Sequence, residues 1–242
     1  MILAAGLGTR LRPLTEHTPK ALVPVGGVPM LERVARRLVA AGADRLVINA
    51  SPHAERIRAF VEEKEGFGVE ARLSIEPEGP LDTGGGLKHA EPHFRGDGAF
   101  LLHNVDVLTD ADLGSLLDAH LRSGAVATLL VRPAATDRYL LFDDAGLVGY
   151  ARAGEERRAR EAAGDLRRVD FMGVHALSPR IFRLIEETGV FSIIGVYLRL
   201  ARAGEAVLAH DVPEALWIDI GTHERLAEAE RAVQRGEVSG GA

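Results

Sequence analysis

Two glycines at the end of an apolar opening segment, followed by a spaced set of cations, are the first residues along this chain that could do chemistry. Leu3-Ala4-Ala5-Gly6-Leu7-Gly8-Thr9-Arg10 leads into Leu11-Arg12-Pro13-Leu14-Thr15, with Pro19-Lys20 shortly after. A glycine-bearing loop lets backbone N–H groups approach phosphate oxygens without Cβ atoms in the way. Arg10, Arg12 and Lys20 then bring positive charge to an anion held there, and arginine matches phosphate oxygens as a bidentate fork. Two familiar phosphate loops are excluded. The dinucleotide fingerprint needs a third glycine where this chain has Leu11, and the P-loop needs Gly-Lys-Ser/Thr, which is absent. The competing reading is a tight strand-to-helix turn with surface cations.

Two aspartates come next. Asp106, in Asn104-Val105-Asp106-Val107, follows the apolar run Ala99–Leu102 and so falls at the C-terminal end of an expected strand. Carboxylates placed there point into the crevice where α/β sheets bind ligands. An isolated aspartate would more simply be a turn or cap residue, and Thr109-Asp110 is expected to cap a helix starting near Ala111. Asp219, in Trp217-Ile218-Asp219-Ile220-Gly221-Thr222, lies inside an apolar run, where an unpaired carboxylate is costly and a bound cation removes the cost. Two carboxylates from separate strands, together with phosphate oxygens, suit Mg²⁺ that keeps several of its waters. A fourth segment runs from Glu78 through Gly86 and ends in three successive glycines. Close approach of backbone to a flat ligand and a flexible turn explain it equally well.

The Gly-Thr-Arg, Pro-Leu-Thr and Pro-Lys series resembles the signature of the sugar-phosphate nucleotidylyltransferases, and the similarity runs from Met1 to about Arg235. The resemblance implies an α/β fold: a Rossmann-like three-layer α/β/α nucleotide-diphospho-sugar transferase fold with a mixed, mostly parallel sheet. A single domain over residues 1–242 is expected. By the same resemblance Leu3, Ala4, Ala5, Gly6, Gly8 and Thr9 hold the triphosphate. Arg10 steadies the departing pyrophosphate, Lys20 binds phosphate, and Asp106 and Asp219 hold the catalytic Mg²⁺. Glu78, Thr83, Gly84, Gly85 and Asn104 become contacts of base and ribose. Arg138, Tyr139 and Gly173 become the wall of the sugar-phosphate pocket. The implied partners are a nucleoside triphosphate, with UTP favoured, and a sugar-1-phosphate.

Leu81–Gly86, Asn104–Asp110 and Trp217–Glu230 look most like the short bacterial branch, which includes N-acetylmuramate-1-phosphate uridylyltransferases and mannose- or heptose-1-phosphate guanylyltransferases. Three positions depart from the family pattern. Val105 precedes Asp106 where glycine is usual, Tyr150-Ala151-Arg152-Ala153 replaces a Glu-Lys-Pro segment, and Leu140 stands where glycine is common. The rival readings are a cytidylyltransferase for a non-sugar phosphate, a non-catalytic nucleotide-sugar-binding regulatory subunit, and a dinucleotide-dependent oxidoreductase. The missing third glycine disfavours the last.

The elements that must position these residues follow from the apolar pattern. Strands are expected at Ile2–Ala5, Leu46–Ala50, Ala71–Ile75, Ala99–His103, Val126–Val131, Tyr139–Phe142, Gly173–Leu177 and Ala206–Ala209. Helices are expected at Leu31–Ala41, Ala111–Arg122, Pro179–Glu187, Ser192–Ala203 and Thr222–Arg235, each with one apolar stripe. A hairpin is expected over Tyr139–Gly149, and the Arg- and Glu-rich Arg152–Arg168 reads as a solvated helix or mobile loop. Ser239–Ala242 reads as a frayed tail.

A net charge of −6 gives no basic stripe for nucleic acid. The chain has no cysteine, which excludes disulfides, thiolate metal sites and cysteine nucleophiles. No apolar stretch reaches the roughly 20 residues of a membrane span. The apolar start lacks the basic lead and length of a signal peptide, so the expectation is a cytoplasmic protein with no membrane contact. His53, His103, His120 and His175 read as turn, strand-end or core residues.

Overall fold

Continuous apolar strands alternating with one-faced helices can bury both kinds of surface only by stacking helices on the two faces of a sheet. The computed structural model describes residues 1–51, 53–96 and 98–238 and shows this arrangement. β1 (Ile2–Leu3) opens the chain, followed by α1 (Leu14–His17), the small hairpin β2 (Pro24–Val25) and β3 (Val28–Pro29), and α2 (Met30–Ala40). Next come β4 (Arg45–Ala50), α3 (Ala54–Glu63), β5 (Glu70–Ile75), α4 (Asp82–His89), β6 (Phe100–Asn104) and β7 (Val107–Thr109). The middle of the chain forms α5 (Leu113–Ser123), β8 (Ala127–Pro133), β9 (Tyr139–Asp143), β10 (Gly146–Arg152), β11 (Glu155–Arg158) and β12 (Arg167–Leu177). It ends in α6 (Ile181–Leu184), α7 (Ile193–Arg202), β13 (Val207–Asp211), β14 (Trp217–Asp219) and α8 (His223–Gln234).

The main sheet runs β11-β10-β9-β12-β6-β1-β4-β5, with β8 beside β12 and β13 beside β8. β6, β1, β4 and β5 are parallel, while β12 pairs antiparallel with β6, β8 and β9. The sheet is therefore mixed, and its parallel half sends the exits of β1, β4, β5 and β6 to one edge. One face is covered by α2, α3 and α5 through Leu31, Val34, Leu38, Ile57, Val61 and Leu116. The other face is covered by α4, α6 and α7 through Leu87, Ile181, Phe182, Val196, Tyr197 and Leu200. A third cluster, including Val25, Leu108, Ile218, Ile220, Ala229 and Ala232, seats α8 against the small β14–β7 sheet.

Four expectations are corrected. The charged stretch Arg152–Arg168 contains β11, a wholly exposed edge strand whose two Glu and two Arg side chains blunt the sheet edge. It is then anchored by Arg160, which bonds the enclosed Asp143 carboxylate at 2.8 and 2.5 Å. The helix expected over Pro179–Glu187 is only one turn long. Arg199 takes the Leu184 carbonyl at 2.7 Å and the Glu187 carboxylate at 2.7 and 2.8 Å, so a tertiary contact ends the helix early. Asp112 rather than Asp110 caps α5, accepting from Gly114 N and Ser115 N at 2.9 and 3.1 Å. The three glycines at 84–86 lie inside α4 rather than in a turn. The expected tail at Ser239–Ala242 falls outside the described residues. No described helix is long and apolar enough to cross a membrane.

Candidate active site

The loop after β1 is fixed from behind by a residue that the motif does not contain. Asn49 Oδ1, at the end of β4, accepts from Ala4 N at 2.5 Å and from Ala5 N at 3.3 Å. Asn49 Nδ2 donates to Glu76 Oε1 at 2.7 Å, and Glu76 Oε2 accepts from Leu81 N at 2.8 Å. Asn49 and Glu76 are each 2% exposed. One buried chain of hydrogen bonds thus ties together the exits of β1, β4 and β5 and the start of α4. Gly86 makes room for it, since a Cβ there would stand 2.6 Å from Asn49 Nδ2 and 2.7 Å from Glu76 Oε1. Beyond Ala5, Gly6 is exposed, and Gly8 takes φ 63°, with its carbonyl held by Thr15 Oγ1 at 2.7 Å. Thr9 and Arg10 follow on a single 3₁₀ turn, both exposed.

The acidic end is built by the short β14–β7 pairing. Asp219 stands opposite Val107, and Ile220 N donates to Asp106 O at 2.9 Å, which brings the two aspartates side by side. Lys20, buried under the loop, donates to Asp106 Oδ2. Asp219 Oδ1 is enclosed with no hydrogen-bond partner. Burial, and then the neighbouring Asp106 charge, push the Asp219 carboxyl above its ordinary value, while Lys20, the backbone N–H of Gly221 and Arg10 pull the other way. Gly221 completes the cluster. A Cβ there would lie 2.6 Å from an Arg10 guanidinium nitrogen and 2.6 Å from Asp219 Oδ1, so only glycine lets these two charges flank the chain. Arg10, Lys20, Asp106 and Asp219, far apart in sequence, therefore meet at one place.

Two cavities adjoin this cluster. The smaller, about 450 Å³, is lined by Ala4, Gly6, Leu7, Arg12 and Lys20. The larger, about 990 Å³, is lined by Asn104, Asp219, Arg138, Tyr139, Gly173 and Thr83, among others. Gly173 sits at φ 77° in the β12 irregularity, where a Cβ would lie 2.8 Å from Asn104 Nδ2. Asn104 Oδ1 is enclosed without a partner. Tyr139 carries the Arg168 guanidinium over its ring at 4.9 Å.

The expected contacts of base and ribose are placed less simply. Glu78 is exposed, and the residue turned inward is Glu76, two positions earlier. Thr83 Oγ1 accepts from Ile193 N at 3.0 Å, and the amides of Gly84 and Gly85 donate to Phe191 O at 2.9 and 3.2 Å. A Cβ on Gly84 would stand 2.5 Å from the Phe191 ring. These glycines are small because α4 packs against the 189–193 segment, and their amides are already committed there. Asp82 and Thr83 still reach the larger cavity.

Sequence reasoning missed Asn49 and Glu76. The available signal was a polar residue at the end of an expected strand: Asn49 after the apolar Leu46-Val47-Ile48, and Glu76 directly after Ile75.

Among the described residues no group of three or more His, Cys, Asp or Glu side chains could hold a metal ion. The site offers two carboxylates and two cations at the mouth of a glycine-bearing loop, which is the equipment for handling phosphate groups. The family comparison agrees. The model of the nucleotidyl transferase family matches residues 1–236, and the chain belongs to that family. It is 35% identical over 240 residues to the N-acetylmuramate alpha-1-phosphate uridylyltransferase of Caulobacter vibrioides, covering 95% of this chain and 97% of that one. The protein of the same description from Neisseria meningitidis serogroup B is 32% identical, covering 95% and 96%. Among solved structures, HddC from Yersinia pseudotuberculosis superimposes with a TM-score of 0.75 at 24% identity, covering 96% of this chain and 97% of that one, a likeness of fold.

Proposed function

We propose that this chain transfers a nucleotidyl group from UTP to a sugar-1-phosphate, N-acetylmuramate 1-phosphate, releasing pyrophosphate. The observation that carries the reading is the meeting of Arg10, Lys20, Asp106 and Asp219 around Gly221, between the loop of Gly6 and Gly8 and the larger cavity. Similarity to the two uridylyltransferases over almost the whole of each chain favours this nucleotide and acceptor.

The smaller cavity takes the triphosphate, with Gly6, Gly8 and Thr9 as the cradle. The larger one takes the acceptor, with Arg138, Tyr139, Gly173 and Asn104 in its wall. A phosphate monoester is already an anion, so its oxygen attacks the α-phosphorus in line without a general base. The protein's work is to align two mutually repelling polyanions and to stabilise the charge that develops. Arg10 and Lys20 face the pyrophosphate as it leaves. Transfer requires Lys20 to shift from Asp106 towards phosphate.

Asp106 and Asp219 fit a divalent cation, Mg²⁺. Asp219 Oδ1 lacks a hydrogen-bond partner, and burial beside Asp106 disfavours the charged form of Asp219, a penalty that a bound cation would remove. Such an ion supplies charge neutralisation at the α-phosphate and orients the attack. Asp106 and Asp219 would hold it, and Mg²⁺ held by one or two carboxylates ordinarily keeps several waters.

The test is pyrophosphate release from UTP, GTP, CTP, ATP and dTTP, each with Mg²⁺ and a panel of sugar-1-phosphates. Turnover is expected with UTP and N-acetylmuramate 1-phosphate and lost on adding EDTA. Turnover with GTP and mannose 1-phosphate instead would replace both substrates while keeping the class. Nucleotide binding without release from any pair would replace the enzyme with a regulatory nucleotide-binding protein.

A further inference from the structure

The floor of the larger cavity holds a histidine that the transfer chemistry does not use. His175 lies on β12, two residues beyond Gly173, where the strand resumes regular pairing with β8 and β6. It is 1% exposed and lines the cavity. Its Nδ1 lies 2.6 Å from the hydroxyl of Tyr197 on α7, and its ring meets Phe171 edge-on at 4.5 Å between centroids. The ring is therefore held from two sides.

Hydrogen-bond accounting fixes which nitrogen carries the proton. Tyr197 is fully buried, and its hydroxyl has no other partner among the described residues. If His175 Nδ1 donated, the phenolic proton would be stranded in the core, at a cost of about 1–3 kcal/mol. The satisfied arrangement has the phenol donating to Nδ1. Burial also keeps the two groups neutral: it lowers the His175 pKa to about 3 and raises that of the phenol. A neutral imidazole accepting at Nδ1 carries its proton on Nε2. That Nε2 has no partner among the described residues. Unlike Nε2 of His103, it is not fully enclosed, and His175 lines the larger cavity.

We propose that His175, oriented by Tyr197, is a specificity-determining residue whose Nε2–H donates a hydrogen bond to an oxygen on the acceptor sugar, a hydroxyl or a substituent carbonyl. The inference rests on the larger cavity being the acceptor site. A fixed donor there favours acceptors that place an oxygen over the floor and penalises those that place an apolar group or a second donor, because the buried N–H is then left unpaired.

The test compares the wild type with His175→Phe/Tyr197→Phe. Replacing both partners by apolar groups of similar shape avoids stranding either one, so the double variant is expected to fold. Its KM for N-acetylmuramate 1-phosphate should rise roughly 3- to 10-fold, the loss of one neutral hydrogen bond, with the KM for UTP and kcat unchanged. A deoxy analogue lacking the recognised oxygen should show no such difference between the two proteins, and a panel of single-position analogues identifies that oxygen. Nitrogen-15 NMR of wild-type His175 should show protonated Nε2 and bare Nδ1, with the Nε2–H resonance moving on addition of the sugar phosphate. An unchanged acceptor KM, an effect on the KM for UTP instead, or protonation at Nδ1 would each overturn the proposal. If the wild type turns over no pair, the function proposed above fails by itself. The dyad is then judged on N-acetylmuramate 1-phosphate binding alone: a moving Nε2–H resonance supports it, and a stationary one overturns it.

Discussion

Replacing Asn49 by Ala removes the hub that holds the phosphate loop from behind. Three groups lose their partner: Ala4 N, bonded at 2.5 Å; Glu76 Oε1, at 2.7 Å; and Ala5 N, at a weaker 3.3 Å. Each well-bonded buried group left unpaired costs about 1–3 kcal/mol, and the 3.3 Å contact adds little. A water entering the small polar void recovers part of the loss, leaving about 2–4 kcal/mol. In a protein of this size that lowers Tm by roughly 5–15 °C. Thermal and urea denaturation measure it, and the urea m-value should stay the same, because the surface exposed on unfolding barely changes. With Ala4 and Ala5 released, the KM for the nucleotide should also rise, whereas the KM for the acceptor should not. A Tm within about 2 °C of wild type would refute the reasoning, because the buried network would then be contributing nothing.

Gly221→Ala should cut turnover at least about tenfold with a small change in Tm, since its Cβ would displace Arg10 and Asp219 rather than core residues; steady-state kinetics with parallel calorimetry checks this. Asp219→Asn should raise the Tm of the ligand-free protein at pH 7. The Asp219 pKa is raised on folding, so the charged carboxylate costs stability once the pH passes its unfolded value of about 3.8, and the variant's advantage should vanish below pH 4. Added Mg²⁺ should stabilise wild type and not this variant, read as a concentration-dependent Tm. Arg160→Ala should cost roughly 2 kcal/mol at pH 7, because Asp143 keeps the amides of Ala145 and Ala163 but loses its cation. Arg160 holds the Asp143 carboxyl well below its usual range. The stability it provides is therefore present above an unfolded pKa of about 3.8 and lost as the pH falls further, so wild-type and variant denaturation curves should converge in acid.

The α/β layering was legible because it rests on periodicity. Leu31, Val34, Ala35 and Leu38 mark the buried stripe of α2, and Leu46-Val47-Ile48 marks a strand covered on both faces. The chemistry-bearing residues were legible where type and spacing coincide, as in the opening loop, or where an acid interrupts an apolar run, as at Asp219. What remained hidden depends on long-range contacts. Asn49 and Glu76 read as strand-end polar residues until β1, β4 and β5 are aligned. The glycines at 84–86 were open equally to a flexible turn and to a backbone approach to a flat ligand, and their place in a helix was hidden because glycine disfavours helices. Packing against Phe191 reverses that preference, since no larger side chain fits at Gly84. Arg152–Arg168 lacks the apolar alternation that marks a strand. Its β11 portion is held by backbone pairing to β10 and followed by the Arg160–Asp143 ion pair, neither of which has a local signature.

The most direct test of the central claim is transfer of α-phosphate label from UTP to N-acetylmuramate 1-phosphate, compared between wild type and Asp219→Asn at matched nucleotide occupancy. The account predicts Mg²⁺-dependent appearance of labelled nucleotide-sugar with wild type, and its loss in the variant while UTP is still bound. Undiminished transfer in Asp219→Asn, or bound UTP that wild type never transfers to any sugar phosphate, would contradict it.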